Sequence, residues 1–400
     1  MWAAARSLDA VRLRWIEARD FRNHEHTELE VPEGLVVAVG GNGEGKTNLL
    51  EAAFYLLALG SPRVSSDLPL VRGGTPGGSA YVRGEVDGLD GRSLIEVEVR
   101  GSGANRVQVN RSPVRRRRDV RRLVRSVFFS PGDLDVVQGQ PDVRRSFLDE
   151  AISVLWPQHE PNLTAYDKAL RQRNRLLKDW EGRGAPPGLA AWDAELVRTG
   201  AALTRDRAAA VAALGGRAAE EFEALTGYGL VVTYVPSVPP PATTGDDELD
   251  VAEQGSLEGV PSAPAPDPLE RSFARRLAER REDELIRRTT LVGPHRDELE
   301  LQVKDLTARA FASHGEAWAA ALSLRLGLAT AVAAEVGEPP VLLLDDPFPG
   351  LDPTRQRRLA ARLSGRGQTI MSVADDAHVP EHADVVWQVL GGAVTVRGAA

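Results

Sequence analysis

A phosphate-binding loop is the feature that most constrains the fold of this chain. Residues 40–47 read G-G-N-G-E-G-K-T, a complete G-x-x-x-x-G-K-T motif. The apolar run 35–39 precedes the loop, and apolar residues at helical spacing follow it from Leu49 to Leu57. Strand, glycine loop and helix are the context that the motif needs, because loop amides and a helix N-terminus bind phosphate together. The sequence therefore predicts an α/β domain that binds a nucleoside triphosphate.

All eight residues of the loop are candidate ATP ligands. They are Gly40, Gly41, Asn42, Gly43, Glu44, Gly45, Lys46 and Thr47. We expect Lys46 to reach the β- and γ-phosphates and Thr47 to bind Mg²⁺. Only four of the 49 basic residues are lysines, so a lysine at position 46 does not follow from composition. The alternative is a glycine-rich turn that binds nothing, which the intact spacing disfavours.

A second motif lies almost a whole chain away. Residues 341–344 are apolar and are followed by Asp345 and Asp346, the pattern of a Walker B strand. We expect Asp345 to join the Mg²⁺ shell beside Thr47, and Asp346 to polarise the water that attacks the γ-phosphate. Lys46, Asp345 and Asp346 are thus the predicted catalytic residues. The alternative is an acid pair that only caps a strand.

The residues between the two motifs change character twice. Residues 81–110 alternate apolar and polar, which predicts antiparallel strands with turns near Gly88 and residues 101–103. Helical spacing then dominates, including one long helix over 193–225. We predict two halves of a nucleotide-binding fold, 1–149 and 290–400, with a helical arm at 150–289. This plan resembles the ABC-type ATPase heads of the SMC kind, an α/β core with an antiparallel β lobe.

Two further segments fit that plan. Ser313, Gly315 and Glu316 precede a long apolar helix, where an ABC signature contacts the ATP of a second molecule, although a serine N-cap is an equally simple explanation. Asp352 lies where a D-loop belongs.

The motifs also depart from ABC heads at large. Glu316 replaces the usual glutamine, Asp346 replaces a common glutamate, and Ser130 occupies the region of the Q-loop glutamine. His378 is too far along the chain to be an obvious switch histidine. These departures predict a slow ATPase.

Composition excludes several classes of function. The chain lacks cysteine, which excludes disulfides, thiolate metal sites and cysteine nucleophiles. Residues 237–268 carry seven acidic residues, no basic residue and many prolines, which predicts a disordered acidic insertion. This segment also accounts for most of the net charge of −8.

The sequence shows no segment that would direct the chain to a membrane. Residues 1–20 do not resemble a signal peptide, and 52–59 is the longest apolar stretch. We therefore expect a cytoplasmic protein without a membrane partner.

Several distinctive segments resemble the RecF family of recombinational-repair ATPases. They are Phe21-Arg22-Asn23, the stretch 43–52 around the loop, a block spread over 129–149, and Gly293-Pro294-His295-Arg296-Asp297. The resemblance implies ATP and Mg²⁺ as cofactors, Arg22 as a further ATP contact, and an ATP-dependent homodimer that clamps duplex DNA near single-stranded gaps. It also implies work with RecR and RecO in loading RecA.

A run of arginines follows the antiparallel strands. Arg115, Arg116, Arg117, Arg118, Arg121 and Arg122 are its candidate DNA contacts, because phosphate binding requires such charge. The alternative is a solvated helix face.

Two other functions remain open for the whole chain. One is a structural SMC-like clamp with little hydrolysis, and the other is the ATP-binding subunit of an ABC transporter. The split layout and the incomplete signature argue against the transporter.

Overall fold

The computed structural model describes residues 11–75, 78–240 and 267–397. Contacts divide the chain into two compact units. The core unit comprises Met1–Gln158, Ala210–Thr233 and Glu300–Ala400, and the helical unit comprises His159–Ala209 and Tyr234–Leu299. These bounds differ from the predicted arm, since 150–158 and 210–233 group with the core unit and 290–299 with the helical unit. Most of the predicted acidic insertion, 241–266, lies outside the described residues.

Within the described ranges, the strands follow one another along the chain in this order. They are β1 (Arg12–Phe21), β2 (His24–Glu30), β3 (Leu35–Val39), β4 (Ser79–Gly88), β5 (Gly91–Arg100), β6 (Arg106–Val109), β7 (Ser112–Pro113), β8 (Ser126–Phe129), β9 (Leu230–Val235), β10 (Glu298–Val303), β11 (Leu306–Thr307), β12 (Val341–Asp345), β13 (Thr369–Val373), β14 (Val385–Leu390) and β15 (Ala393–Arg397).

The α-helices of the same ranges follow. They are α1 (Lys46–Ala58), α2 (Arg117–Leu123), α3 (Leu134–Gln138), α4 (Pro141–Leu155), α5 (Glu160–Asp179), α6 (Leu189–Thr226), α7 (Pro268–Glu279), α8 (Arg281–Arg287), α9 (Ala308–Phe311), α10 (His314–Val336) and α11 (Pro353–Leu363).

A mostly parallel sheet forms the centre of the core unit, with strand order β15-β14-β3-β13-β12-β8. Only β15 runs antiparallel to its neighbour. All residues of β3, β12 and β13 are buried, which explains the apolar runs of β3 and of the first four residues of β12. Because parallel strands end at the same edge of a sheet, the segments that follow β3, β8, β12 and β13 meet there.

The second sheet of the core unit is the predicted antiparallel lobe, with order β2-β1-β4-β5-β6-β7. Its turns lie at 88–91 and 101–105, as the glycines predicted. The prediction missed β2, because His24–Glu30 is polar and Leu29 is its single apolar residue. That composition is typical of an edge strand.

The predicted apolar helix forms α10, which is buried on every side over most of its length. By length and composition alone α10 is apolar enough to cross a membrane, although we predicted no such segment from the sequence. Of its most apolar 18-residue stretch, 83% is buried inside the protein. Gly327 permits its close packing against α6. A Cβ at Gly327 would lie 2.6 Å from the backbone nitrogen of Ala218.

The G-P-H-R-D motif has a packing role in the helical unit. The Nδ1 atom of His295 lies 2.7 Å from the hydroxyl of Tyr166, and Asp297 accepts hydrogen bonds from Arg207 at 3.1 Å and from the backbone of Ser237 at 2.8 Å. Gly293 has φ of 131°, and a Cβ there would lie 2.6 Å from the Tyr166 hydroxyl. The motif therefore orders the loop before β10.

Gln368 connects the two sheets of the core unit. Its side-chain oxygen accepts from the nitrogen of Leu13 at 2.8 Å, and its amide donates to the carbonyls of Leu13 at 2.7 Å and Pro32 at 2.9 Å. The side chain is only 3% exposed. Its removal would leave buried backbone groups without partners.

We predict that Gln368→Ala lowers the free energy of unfolding by about 2 kcal/mol, because unsatisfied buried polar groups cost roughly 1–3 kcal/mol. Urea denaturation followed by circular dichroism measures the change. Gln108→Ala, at an exposed position of β6, is the matched control and should change stability little. Equal stability of the two variants would contradict this role for Gln368.

Candidate nucleotide site

The phosphate-binding loop lies between β3 and α1, as predicted. Gly45 is the N-cap of α1 with φ of 113°, and Gly43 has φ of 84°, so both use backbone conformations that favour glycine. The Nζ of Lys46 donates to the carbonyl of Gly41 at 2.8 Å. Burial lowers the pKa of Lys46, and the carboxylates of Asp346, Asp345 and Glu44 oppose this effect. The ammonium group thus lies where a cation is balanced by acids.

The two predicted Mg²⁺ ligands meet in the structure. Thr47 donates its hydroxyl hydrogen to Oδ1 of Asp345 at 2.8 Å, although the two residues are 298 positions apart. Ser372, at the end of β13, also donates to this oxygen at 2.7 Å. Burial raises the pKa of Asp345, while the hydrogen bonds from Ser372 and Thr47 lower it.

The donor set at this position fits a magnesium nucleotide. A hydroxyl and a carboxylate are hard oxygen ligands, which Mg²⁺ prefers, and it takes its other ligands from phosphate and water. No cluster of three or more metal-ligating His, Cys, Asp or Glu side chains occurs in the described part of the chain. Binding of Mg²⁺ at this position stays a prediction.

Asp346 follows β12 with φ of 48°, and its nitrogen donates to the hydroxyl of Ser372 at 2.9 Å. Burial and then the charge of Asp345 raise its pKa, while Lys46 and His378 lower it. His378 ends the short 3₁₀ turn Asp376–His378. The expected absence of a switch histidine stays a prediction.

Residues next to the loop brace it, and sequence reasoning did not assign them this role. Asn23 donates to the carbonyl of Glu44 at 3.2 Å, and its side-chain oxygen accepts from Asn48 at 2.7 Å. The buried ring of His24 contacts the carbonyl of Gly45 at 3.0 Å through Nε2. The F-R-N element, which contains Asn23, was visible in the sequence. No sequence pattern indicated that His24 or Ser372 would lie at the nucleotide site.

Arg22 has well-defined partners in this structure. Its Nε and Nη2 donate to the buried carboxylate of Glu51 at 2.8 and 2.9 Å, and its Nη1 donates to the carbonyl of Pro69 at 2.9 Å. Arg22 therefore positions α1 through Glu51. A direct contact between Arg22 and ATP stays a prediction.

The predicted signature and D-loop lie side by side. Ser313 is the N-cap of α10 and forms a reciprocal capping box with Glu316. Asp352 is the N-cap of α11 and accepts from the nitrogens of Thr354 and Arg355 at 2.9 and 3.0 Å. A Cβ at Gly315 would lie 3.1 Å from Nη1 of Arg355. The described residues show no hydrogen bond between Ser313 and the loop of its own chain.

Ser130 follows β8 at the carboxyl edge of the sheet. It caps a 3₁₀ turn, in which its nitrogen donates to Asp133 at 2.8 Å. Asp133 also accepts from the buried Arg325 of α10 at 2.6 Å. The role of Ser130 in place of a Q-loop glutamine stays a prediction.

The arginine run spans a loop and α2. Arg115, Arg116, Arg117 and Arg122 are exposed, and Arg118 and Arg121 are half-buried. Arg125, at the end of the same run, is only 8% exposed. Burial, with repulsion from Arg121 and Arg122, lowers its pKa to about 10. Arg125 is therefore more buried than the six candidate DNA contacts.

Comparison with known proteins agrees with this architecture. The domain family described as RecF/RecN/SMC N terminal domain matches residues 12–391. The DNA replication and repair protein RecF of Cutibacterium acnes is 39% identical over 387 residues, covering 92% of this chain and 93% of that protein. The RecF protein of Streptomyces avermitilis is 40% identical over 370 residues, covering 90% and 93%.

Solved structures show the same relationship. The recombination mediator protein RecF with ATP, of the RecFOR pathway, superposes with a TM-score of 0.83 and 28% identity, covering 98% of this chain and 100% of that chain. The Smc head of Pyrococcus furiosus gives a TM-score of 0.54 at 16% identity, covering 97% and 96%, and shows the fold alone. The predicted α/β head fold is confirmed. The chain therefore belongs to the RecF family.

Proposed function

We propose that this protein is an ATP-dependent DNA-binding protein of recombinational repair and gap maintenance in the bacterial cytoplasm. The observation that carries the proposal is the contact of Thr47 with Asp345, because it assembles a complete nucleotide site from both ends of the chain. The RecF names of its relatives, and the RecFOR pathway of a solved relative, support RecR, RecO and indirectly RecA as partners.

The roles of the site residues follow from their positions. Bound Mg²⁺·ATP supplies the phosphoanhydride and the cation, and Lys46 and the loop amides hold its phosphates. Thr47 and Asp345 hold the cation, and Asp346 orients the attacking water. The short side chain of Asp346, in place of the glutamate common in ABC heads, supports slow turnover, which we propose that DNA stimulates.

The position of Ser313 supports a dimer that depends on ATP. Ser313 lies at the exposed start of the 23-residue helix α10, where backbone N–H groups favour an anion. Within the described residues, Ser313 forms no hydrogen bond with the phosphate-binding loop of its own chain. We propose that it faces the γ-phosphate held by a second copy, and that the dimer clamps duplex DNA.

Substitutions at Lys46 and Asp346 separate binding from hydrolysis. Lys46→Met should abolish most nucleotide affinity, because it removes the cation from the phosphates. Asp346→Asn should bind ATP normally, hydrolyse at least roughly 100-fold more slowly, and accumulate as a dimer, because only the carboxylate that polarises water is lost. Titration with a fluorescent ATP analogue and a phosphate-release assay with DNA measure both steps.

Lys178→Met is the control for Lys46, because Lys178 is an exposed lysine of the helical unit. Normal hydrolysis in Asp346→Asn would move the base role to another group. An absence of DNA-stimulated hydrolysis in the unmodified protein would favour the structural clamp.

Ser313→Arg tests the dimer. The bulky cation should prevent approach of the partner while the phosphate-binding loop of the same chain stays intact. Sedimentation velocity should show a dimer for the unmodified protein with Mg²⁺·ATP and a monomer for the variant, with unchanged ATP affinity in the variant. Normal dimerisation of the variant would remove the signature role from Ser313.

Neutralising Arg115–Arg118 with glutamine tests the DNA surface. Affinity should fall about equally for all duplex sequences, and the slope of log K against log salt should decrease by roughly one unit per lost phosphate contact. Fluorescence anisotropy across a salt series with ATP measures both. The matched control replaces Arg171, Arg175, Arg183 and Arg198, which are exposed in the helical unit. Loss of affinity only in the control would place the DNA surface there.

A further inference from the structure

The carboxylate of Glu316 is the centre of a polar cluster at the start of α10. Its Oε1 accepts from Nζ of Lys304 at 2.7 Å and from the hydroxyl of Tyr228 at 2.8 Å. Its Oε2 accepts from the nitrogen and the hydroxyl of Ser313 at 2.9 and 2.8 Å. All four residues belong to the core unit. The cluster lies in the segment that we propose to face a partner's nucleotide.

This carboxylate creates an electrostatic problem for that role. The hydrogen bonds from Lys304 and Ser313 lower the pKa of Glu316 to about 2, so it stays ionised at any physiological pH. An anion beside a phosphate repels it, and the neutral glutamine usual at this position in ABC heads does not. The Ser313 hydroxyl also donates its only hydrogen to Glu316, rather than leaving it for a ligand.

Lys304 is well placed to offset this charge. It occupies the two-residue turn between β10 and β11, where Lys304 and Asp305 have φ of 54° and 63°. Its Nζ lies 4.1 Å from the centre of the Tyr228 ring, a cation–π contact. The Tyr228 hydroxyl also accepts from Arg355 at 3.2 Å. With 57% of its side chain exposed, Lys304 can still face an incoming anion.

Composition points to the same residue. The chain uses arginine almost everywhere, and Lys304 is one of only four lysines. A lysine concentrates its charge in a compact ammonium group with three donors. One ammonium group can therefore bind Glu316 and offer a further N–H to a phosphate.

We propose that Lys304 is the charge-compensating residue of the trans nucleotide site, which neutralises Glu316 so that the γ-phosphate held by a second copy can approach the start of α10. Tyr228 holds the ammonium group over this position. The inference rests on the proposed ATP-dependent dimer. It predicts that the requirement for Lys304 exists only while residue 316 is acidic.

The test compares full-length Lys304→Met, Glu316→Gln and the double variant by sedimentation velocity with a non-hydrolysable ATP analogue and Mg²⁺. Lys304→Met should weaken dimerisation about tenfold or more, because an unpaired carboxylate then faces the phosphate. Glu316→Gln should dimerise at least as tightly as the unmodified protein. The double variant should recover to within about threefold of it, since no charge remains to be offset. Lys178→Met is the control for loss of an exposed lysine.

Two further readouts separate charge from packing. Monomer affinity for the ATP analogue should stay within about twofold in every variant, because each chain's own loop is untouched. The deficit of Lys304→Met should shrink as salt rises, because salt screens like-charge repulsion between exposed groups. Normal dimerisation of Lys304→Met, or a double variant as weak as Lys304→Met, would overturn the inference. An unmodified protein that stays monomeric would instead overturn the proposed function.

Discussion

The hydrogen bond from Thr47 to Asp345 is the contact on which the rest of the site depends. It requires β3 and β12 to end at the same edge of one sheet, although the chain between them passes through an antiparallel lobe and a helical unit. Strand β13 lies between β3 and β12 and supplies Ser372 to the same carboxylate. The site therefore exists only when the C-terminal strands have joined the N-terminal one.

Burial gives this edge of the sheet its chemistry. Asp345 and Asp346 are adjacent acids in a desolvated position, which raises the pKa of both. Lys46 is nearby, and burial lowers its pKa. Burial disfavours the charged form of each group, and the opposite charges nearby oppose that effect. A cation bound to Thr47 and Asp345, as predicted from the sequence, would relieve the repulsion between the two acids.

The acid of the predicted signature segment is stabilised in a different way. This acid, Glu316, lies near the surface and is stabilised as an anion by Lys304, Tyr228 and the Ser313 backbone. The capping box that begins α10 gives partners to two backbone N–H groups, those of Ser313 and Glu316. It also binds the hydroxyl hydrogen of Ser313 to the carboxylate of Glu316.

The sequence by itself determined the nucleotide chemistry and the order of its parts. The loop at 40–47, the acids at 345 and 346, and the alternation over 81–110 are local patterns whose meaning depends on spacing alone. The family resemblance also rests on such local segments. Residues without a local pattern escaped prediction, among them Ser372 and the polar edge strand β2.

Tertiary structure decided which distant residues meet. It engaged Arg22 with Glu51, buried Arg125, and gathered Lys304 and Tyr228 around Glu316. The contacting pairs are 12 to 88 positions apart in the chain, and they meet because the tertiary fold brings their segments together. The spacing of residues along the sequence does not show which of these side chains meet. The same spacing does show the periodicity and the motifs, from which we predicted the fold and the phosphate-binding loop.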